Sequence, residues 1–245
     1  MILKLIRGFT LAEVLITLGV IGVVSAVTLP TLIKNYQKHE TVNRLKQTYS
    51  ILYQAVRMSE TENGLLETWE IPDIAWNSEE QYSKGKIFAE KYLLPYLKTA
   101  VSDCGIDASK CIPDKIYNMD KSENDMGTYS KYRFVLVNGV VVQMVSENNG
   151  TVVSFIVDLN GKSNPNTIGK DIFMIYAAKN GTSGSWYGKV NKSGLYFAGQ
   201  GFSRNELSGL SGTYVARGCK PTGKGQFCGA LIMLDGWKIA PDYPW

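Results

Sequence analysis

RGFTLAEVLITLGVIGVVSAVTLP, residues 7–30, is the stretch that organises this chain. Glu13 is the only charge among the 21 residues from Phe9 to Leu29. At the helical rise of ~1.5 Å per residue, a run of that length spans about the ~30 Å hydrocarbon core of a bilayer. Its flanks are wrong for a cleaved secretory signal: Lys4 and Arg7 precede Gly8, and the apolar run then continues unbroken. The rest of the chain is therefore read as hanging from a membrane helix.

Glu13 needs a partner. A carboxylate within an apolar helix costs about 2.5–3.5 kcal/mol on insertion scales, so an acid there marks a functional position. The nearest candidate partner is a new α-amino group on Phe9, which exists only if the chain is cut between Gly8 and Phe9. The two residues are one helical turn apart, so they can pair within one subunit or between neighbours staggered by a turn.

Gly8-Phe9-Thr10-Leu11-Ala12-Glu13, then an apolar helix, then Pro30, resembles the type IV prepilin signature shared by pilins and the pseudopilins of type II secretion. The resemblance implies cleavage after Gly8 by a membrane-embedded prepilin peptidase and N-methylation of Phe9. It also implies a role for Glu13 in docking each subunit into a growing filament. The implied partners are identical or related pilin subunits, the peptidase, an inner-membrane assembly platform and membrane lipid. Major pilins, minor pilins and secretion pseudopilins share the signature alike.

The 245 residues are 44% apolar and 20% charged, globular material once the anchor is set aside. The formal charge is +4; without residues 1–8, which carry Lys4 and Arg7, 24 basic residues face 22 acidic ones, a net of +2. That balance provides no field for a polyanion, so no nucleic-acid partner is expected. The basic leader holds the N-terminus in the cytoplasm by the positive-inside rule and sends the head outside. The expected organisation is a leader at 1–8, a transmembrane and assembly helix at 9–30, and an extracytoplasmic domain at 31–245.

Gly19 and Gly22 interrupt the membrane helix, either as tolerated glycines or, as the resemblance implies, as the start of a segment that loses helical bonds on assembly. Pro30 is expected to end or bend the helix. Beyond it, Leu32, Tyr36, Val42, Leu45, Tyr49, Leu52 and Val56 recur at steps mostly of three and four, which predicts an amphipathic continuation to Glu62 with Asn63-Gly64 as its stop. Such a helix is roughly 80 Å long at ~1.5 Å per residue. His39, the single histidine, reads as a solvated or subunit-contacting side chain, and no nucleophile and base share a recognisable spacing, so enzyme chemistry is not expected.

Residues 65–78, with Trp69, Pro72 and Trp76, read as an irregular link. Ser78 is a potential cap for a second helix running towards Lys98 and shortened by Pro95. The four cysteines form two local pairs, Cys104 with Cys111 and Cys219 with Cys228. In an exported chain an even count points to disulfides, and local pairing is favoured among the three possible connectivities. Residues 115–131 are polar and read as a solvated connection.

From Tyr132 the period changes to strands. Residues 132–137 and 140–145 flank Asn138-Gly139, a type I′ hairpin signal. Asn148-Asn149-Gly150 is a second turn, 151–159 a third strand and 172–178 a fourth. Between these last two lies Asp158-x-Asn160-Gly161 … Asn164-Pro165-Asn166 … Gly169-x-Asp171. Oxygen-bearing side chains around a glycine bend suit a hard cation such as calcium, which takes 6–8 oxygens, but Asp and Asn with Gly and Pro more commonly make self-bonded Asx turns. The stretch resembles a loop found in many pseudopilin-like proteins. If a metal binds, Asp158, Asn160 and Asp171 are its side-chain ligands; no other cofactor is required.

The tail, 180–245, is rich in glycine and aromatic residues, with strand-like pieces at 195–198 and 230–234 and an end, 235–245, that folds back on the sheet. The resulting expectation is an α+β protein whose long N-terminal helix, half transmembrane and half amphipathic, packs on a C-terminal antiparallel sheet. Its expected role is that of a type IV pilus or type II secretion pseudopilus subunit, first in the cytoplasmic membrane and then in a filament. The alternative is a membrane-tethered extracytoplasmic binding module, calcium-dependent or otherwise.

Overall fold

The computed structural model describes residues 8–74, 80–97, 102–107, 110–127, 131–147, 149–180 and 186–245. The basic residues Lys4 and Arg7, Trp76, the expected cap Ser78, Lys98 and the expected turn residue Asn148 lie outside the described residues. The chain divides into two compact units, Met1–Glu40 and Thr41–Trp245.

Helix α1, Leu11–Asn63, begins in the first unit and ends in the second. Within the first, the apolar side chains from Phe9 to Ile33 are exposed, and α1 is long and apolar enough to cross a membrane. The helix continues through Pro30 instead of ending there. A proline withdraws one donor, and a helix with many turns on both sides absorbs that loss. Leu32 and Tyr36 are exposed, so the buried amphipathic face starts later than the sequence pattern suggests.

In the second unit that face comprises Val42, Leu45, Thr48, Leu52, Ala55, Val56 and Ser59. Gly64, at φ +81°, supplies the left-handed residue that stops the helix just past Asn63. Helix α2, Glu80–Tyr92, is followed by a 3-10 turn at Leu94–Tyr96 that carries Pro95, which accounts for the shortening. Trp69 stacks on Tyr92 at 4.7 Å and closes the link between the helices.

The strands are β1 (Ser102–Asp103), β2 (Ile116–Tyr117), β3 (Glu123–Asn124), β4 (Tyr132–Val135), β5 (Val141–Glu147), β6 (Val152–Asp158), β7 (Ile172–Ala178) and β8 (Gly194–Phe197). Six of them form one antiparallel sheet in the order β1-β4-β5-β6-β7-β8, and β2 pairs with β3. By register Tyr132, Phe134, Val142, Phe155, Phe173 and Phe197 share one face. On it Tyr49 of α1 stacks on Phe197 at 4.9 Å, and Tyr82 of α2 meets Tyr132 at 5.9 Å. The opposite face is covered too, with Tyr176 edge-on to Trp186 and Tyr187 and the Arg133 Nε–H donating to Gln143 Oε1 at 2.6 Å. Burial on both faces explains why β5, β6 and β7 read as almost continuous apolar runs.

Three local expectations are corrected. The β4–β5 connection is not a type I′ turn: Leu136 N–H donates to Val140 O, so Val137, Asn138 and Gly139 form a three-residue loop in which Gly139 alone has positive φ. The described part of 115–131 is not a solvated connection throughout, because it contains the β2–β3 ribbon and the buried Lys131. Residues 230–234 are not a strand but lie within helix α4, Cys228–Leu234, which follows the single turn α3, Arg204–Leu207.

The outer margin of β8 is already used by its own chain. Tyr49 Oη donates to Leu195 O at 2.9 Å, and Phe197 N–H donates to Gln200 Oε1 at 3.1 Å. Two disulfides, Cys104–Cys111 and Cys219–Cys228, close the local loops.

Candidate functional site

β6 ends at Asp158 and β7 begins at Ile172, and these two residues are register partners, so the 158–171 loop starts and finishes at one place. Leu159 N–H donates to Asp171 O, bringing the two acids to the loop mouth. Asp171 organises the interior: Oδ2 accepts from Asn166 N–H and Oδ1 from Thr167 N–H, both at 2.7 Å. Asn166 has φ +49°, a left-handed conformation that asparagine tolerates better than most residues. The β2–β3 ribbon pins the turn from outside, with Tyr117 N–H donating to Asn166 O and Ile168 N–H to Tyr117 O. The polar stretch before β4 therefore supports the loop.

The chemistry of the loop lies in what is left unbonded. Asp158, Asn166 and Asp171 are buried. Asp158 Oδ1 accepts from Asn160 N–H at 3.2 Å, while Asp158 Oδ2, Asn160 Oδ1 and Asn166 Oδ1 are buried without any donor. With Asp158 ionised, all three are acceptor oxygens. An unsatisfied buried acceptor costs about 1–3 kcal/mol, and a carboxylate more. Desolvation, with the like charge of Asp171 second, pushes the Asp158 carboxyl up to about 8. Desolvation also raises Asp171, against the backbone donors of Thr167 and Asn166.

A hard cation would give the three orphaned oxygens a partner and the two desolvated carboxyls a counter-charge. Among the described residues no group of three or more His, Cys, Asp or Glu side chains is placed to hold a metal. A cation here would therefore be held by two carboxyls together with amide and backbone oxygens. Carboxylate, amide and backbone oxygens are the donor types calcium takes, and Asp158, Asn160 and Asp171 are the side chains the sequence expectation names. The structure adds Asn166. Its place in the motif was legible, but its burial and missing donor were not.

At the other end of the chain, Gly8 and Phe9 are exposed. Glu13 Oε2 accepts from Thr10 N–H and from Thr10 Oγ1, each at 2.8 Å, and Thr10 Oγ1 accepts from Glu13 N–H at 3.3 Å. This is a reciprocal capping box on the first turn of α1. Thr10 is thus the partner of Glu13 in this structure. His39 is exposed.

Fold and site together define an α+β protein with one N-terminal helix able to cross a membrane, two disulfides and an oxygen-lined loop between central strands. Residues 31–245 match the model of a family of unknown function, DUF6613, and the chain belongs to that family. No curated protein and no solved structure matches it.

Proposed function

We propose that this chain is the structural subunit of a type IV pilus or a type II secretion pseudopilus. Cut between Gly8 and Phe9 by prepilin peptidase and methylated on Phe9, it is held by its helix in the cytoplasmic membrane with the head outside. It then polymerises through that helix with identical or related subunits on an inner-membrane platform. The head contributes a calcium-stabilised loop built on Asp158, Asn160, Asn166 and Asp171.

One observation carries the reading: the apolar stretch from Phe9 to Ile33 is exposed along its length, carries Glu13 and directly follows a Gly-Phe junction. A plain anchor needs neither that junction nor an acid one turn into the helix. The test is intact mass and N-terminal analysis of the protein from its own membrane, with and without the peptidase. A mature chain beginning at methylated Phe9 supports the filament subunit. A Met1 start, in cells that process other prepilins, supports the tethered binding module instead.

A further inference from the structure

The C-terminal segment after α4 runs from the α1 surface to the 158–171 loop. Gly236 and Trp237 both adopt left-handed backbone, at φ +75° and +59°, and Trp237 N–H donates to Ile232 O at 2.8 Å, turning the chain back on the helix end. The Trp237 ring lies 6.0 Å from Tyr49 and 5.9 Å from Phe197. Six residues later Tyr243 is buried, and its hydroxyl donates to the carbonyl of Gly169.

A single guanidinium secures both ends of this span. Arg204 donates to Asp235 Oδ1 and Oδ2 at 2.9 and 3.0 Å, and to Asp242 Oδ2 and Oδ1 at 2.8 and 2.9 Å. Two bidentate pairs on one arginine fix orientation as well as distance. Gly169 is equally confined: it has φ +88°, and a Cβ there would lie 2.6 Å from Cys228 Sγ and 2.7 Å from Met119 Cε. It stands between Asn166, whose Oδ1 lacks a donor, and the loop-organising Asp171.

We infer that Tyr243 is a positioning residue for cation binding, and that residues 235–245 form a strap holding the Asn166–Asp171 turn in its cation-ready form. The inference rests on the calcium reading of the loop. Partners that orient ligands from behind them typically change metal affinity 10–100-fold. Coupling of this kind is reciprocal: a strap that favours the cation-bound loop is itself ordered by the cation.

The test uses the full chain in detergent micelles, titrated with CaCl2 after EGTA treatment. Calcium affinity is measured by calorimetry, and hydrogen exchange is followed on peptides covering 236–245. In the unsubstituted protein, calcium slows exchange in the strap. Tyr243→Phe, which keeps the ring and removes the hydroxyl, weakens calcium about tenfold and shrinks the rise in Tm that calcium gives. Arg204→Gln, which frees both aspartates, acts in the same direction. If calcium binds but strap exchange does not respond and both variants bind as tightly as the parent, the strap inference is overturned while the calcium reading stands. A Tyr243→Phe protein whose Tm falls equally with calcium and with EGTA also overturns it, because Tyr243 then only packs. No calcium binding at millimolar concentration removes both.

Discussion

Asp158 is the residue at which structure and chemistry meet most sharply. Its free oxygen is buried and its carboxyl is pushed up to about 8. A ligand that binds only the folded state stabilises it by about 2.7 kcal/mol at a hundred times its Kd, so calcium should raise Tm visibly. Asp158→Asn is expected to abolish that rise while leaving Tm in EGTA equal to or above the parent's, as differential scanning fluorimetry would record. Lys131 offers a separate test. It is fully buried beside Arg133, and desolvation lowers its pKa to about 7. Folding therefore favours its neutral form. Its penalty is complete below pH 7 and is relieved as pH rises from there towards the ordinary lysine value. Lys131→Met is expected to stabilise the protein by about 1–3 kcal/mol at pH 6 and to flatten that part of the pH profile, measured by urea unfolding. The burial of Lys131 and the unpartnered oxygen of Asn166 are not visible in the sequence. Lys131 closes a polar stretch that reads as solvent-facing, and Asn166 looks like any turn asparagine until its oxygen is found without a donor.

At the scale of elements, the sequence carried most where two signals agreed. Strands β5, β6 and β7 are rich in β-branched and aromatic residues and are bounded by turn residues, and β7 was read to the residue. The second half of α1 was legible from steps of three and four and from Asn63-Gly64. Leu52, fully buried on that face, is expected to cost about 2–5 kcal/mol when replaced by alanine, read as a shift in urea midpoint without a change in slope. Where signals conflict, the linear pattern misleads. Cys228-Gly-Ala-Leu-Ile-Met-Leu is a short apolar run, which periodicity cannot divide between strand and buried helix, and its one β-branched residue against Ala, Leu and Met favours the helix observed. The Asn138-Gly139 turn failed differently: the hairpin was right, but Val137 joined the loop, so only the glycine needed positive φ.

For the whole molecule, the two compact units predict that assembly and head folding separate. Glu13→Ala is expected to leave the head's Tm unchanged while removing subunits from the sheared filament fraction, assayed by immunoblot; normal assembly would count against the proposed role of that acid. The head also brings distant pieces of chain together, since the ribbon, the Cys219–Cys228 disulfide and the C-terminal tyrosine all converge on one loop. That convergence could not be read from a linear pattern, because each partner is separated from the loop by tens of residues or more. The margin of β8 has a different consequence. Open strand edges invite pairing between chains, and the proposed filament would hold its subunits at very high local concentration. Here a tyrosine from the protein's own long helix occupies Leu195 O, and Gln200 occupies Phe197 N–H. In the proposed filament, crowded heads would thereby be denied a template at this margin, which would disfavour runaway cross-β stacking.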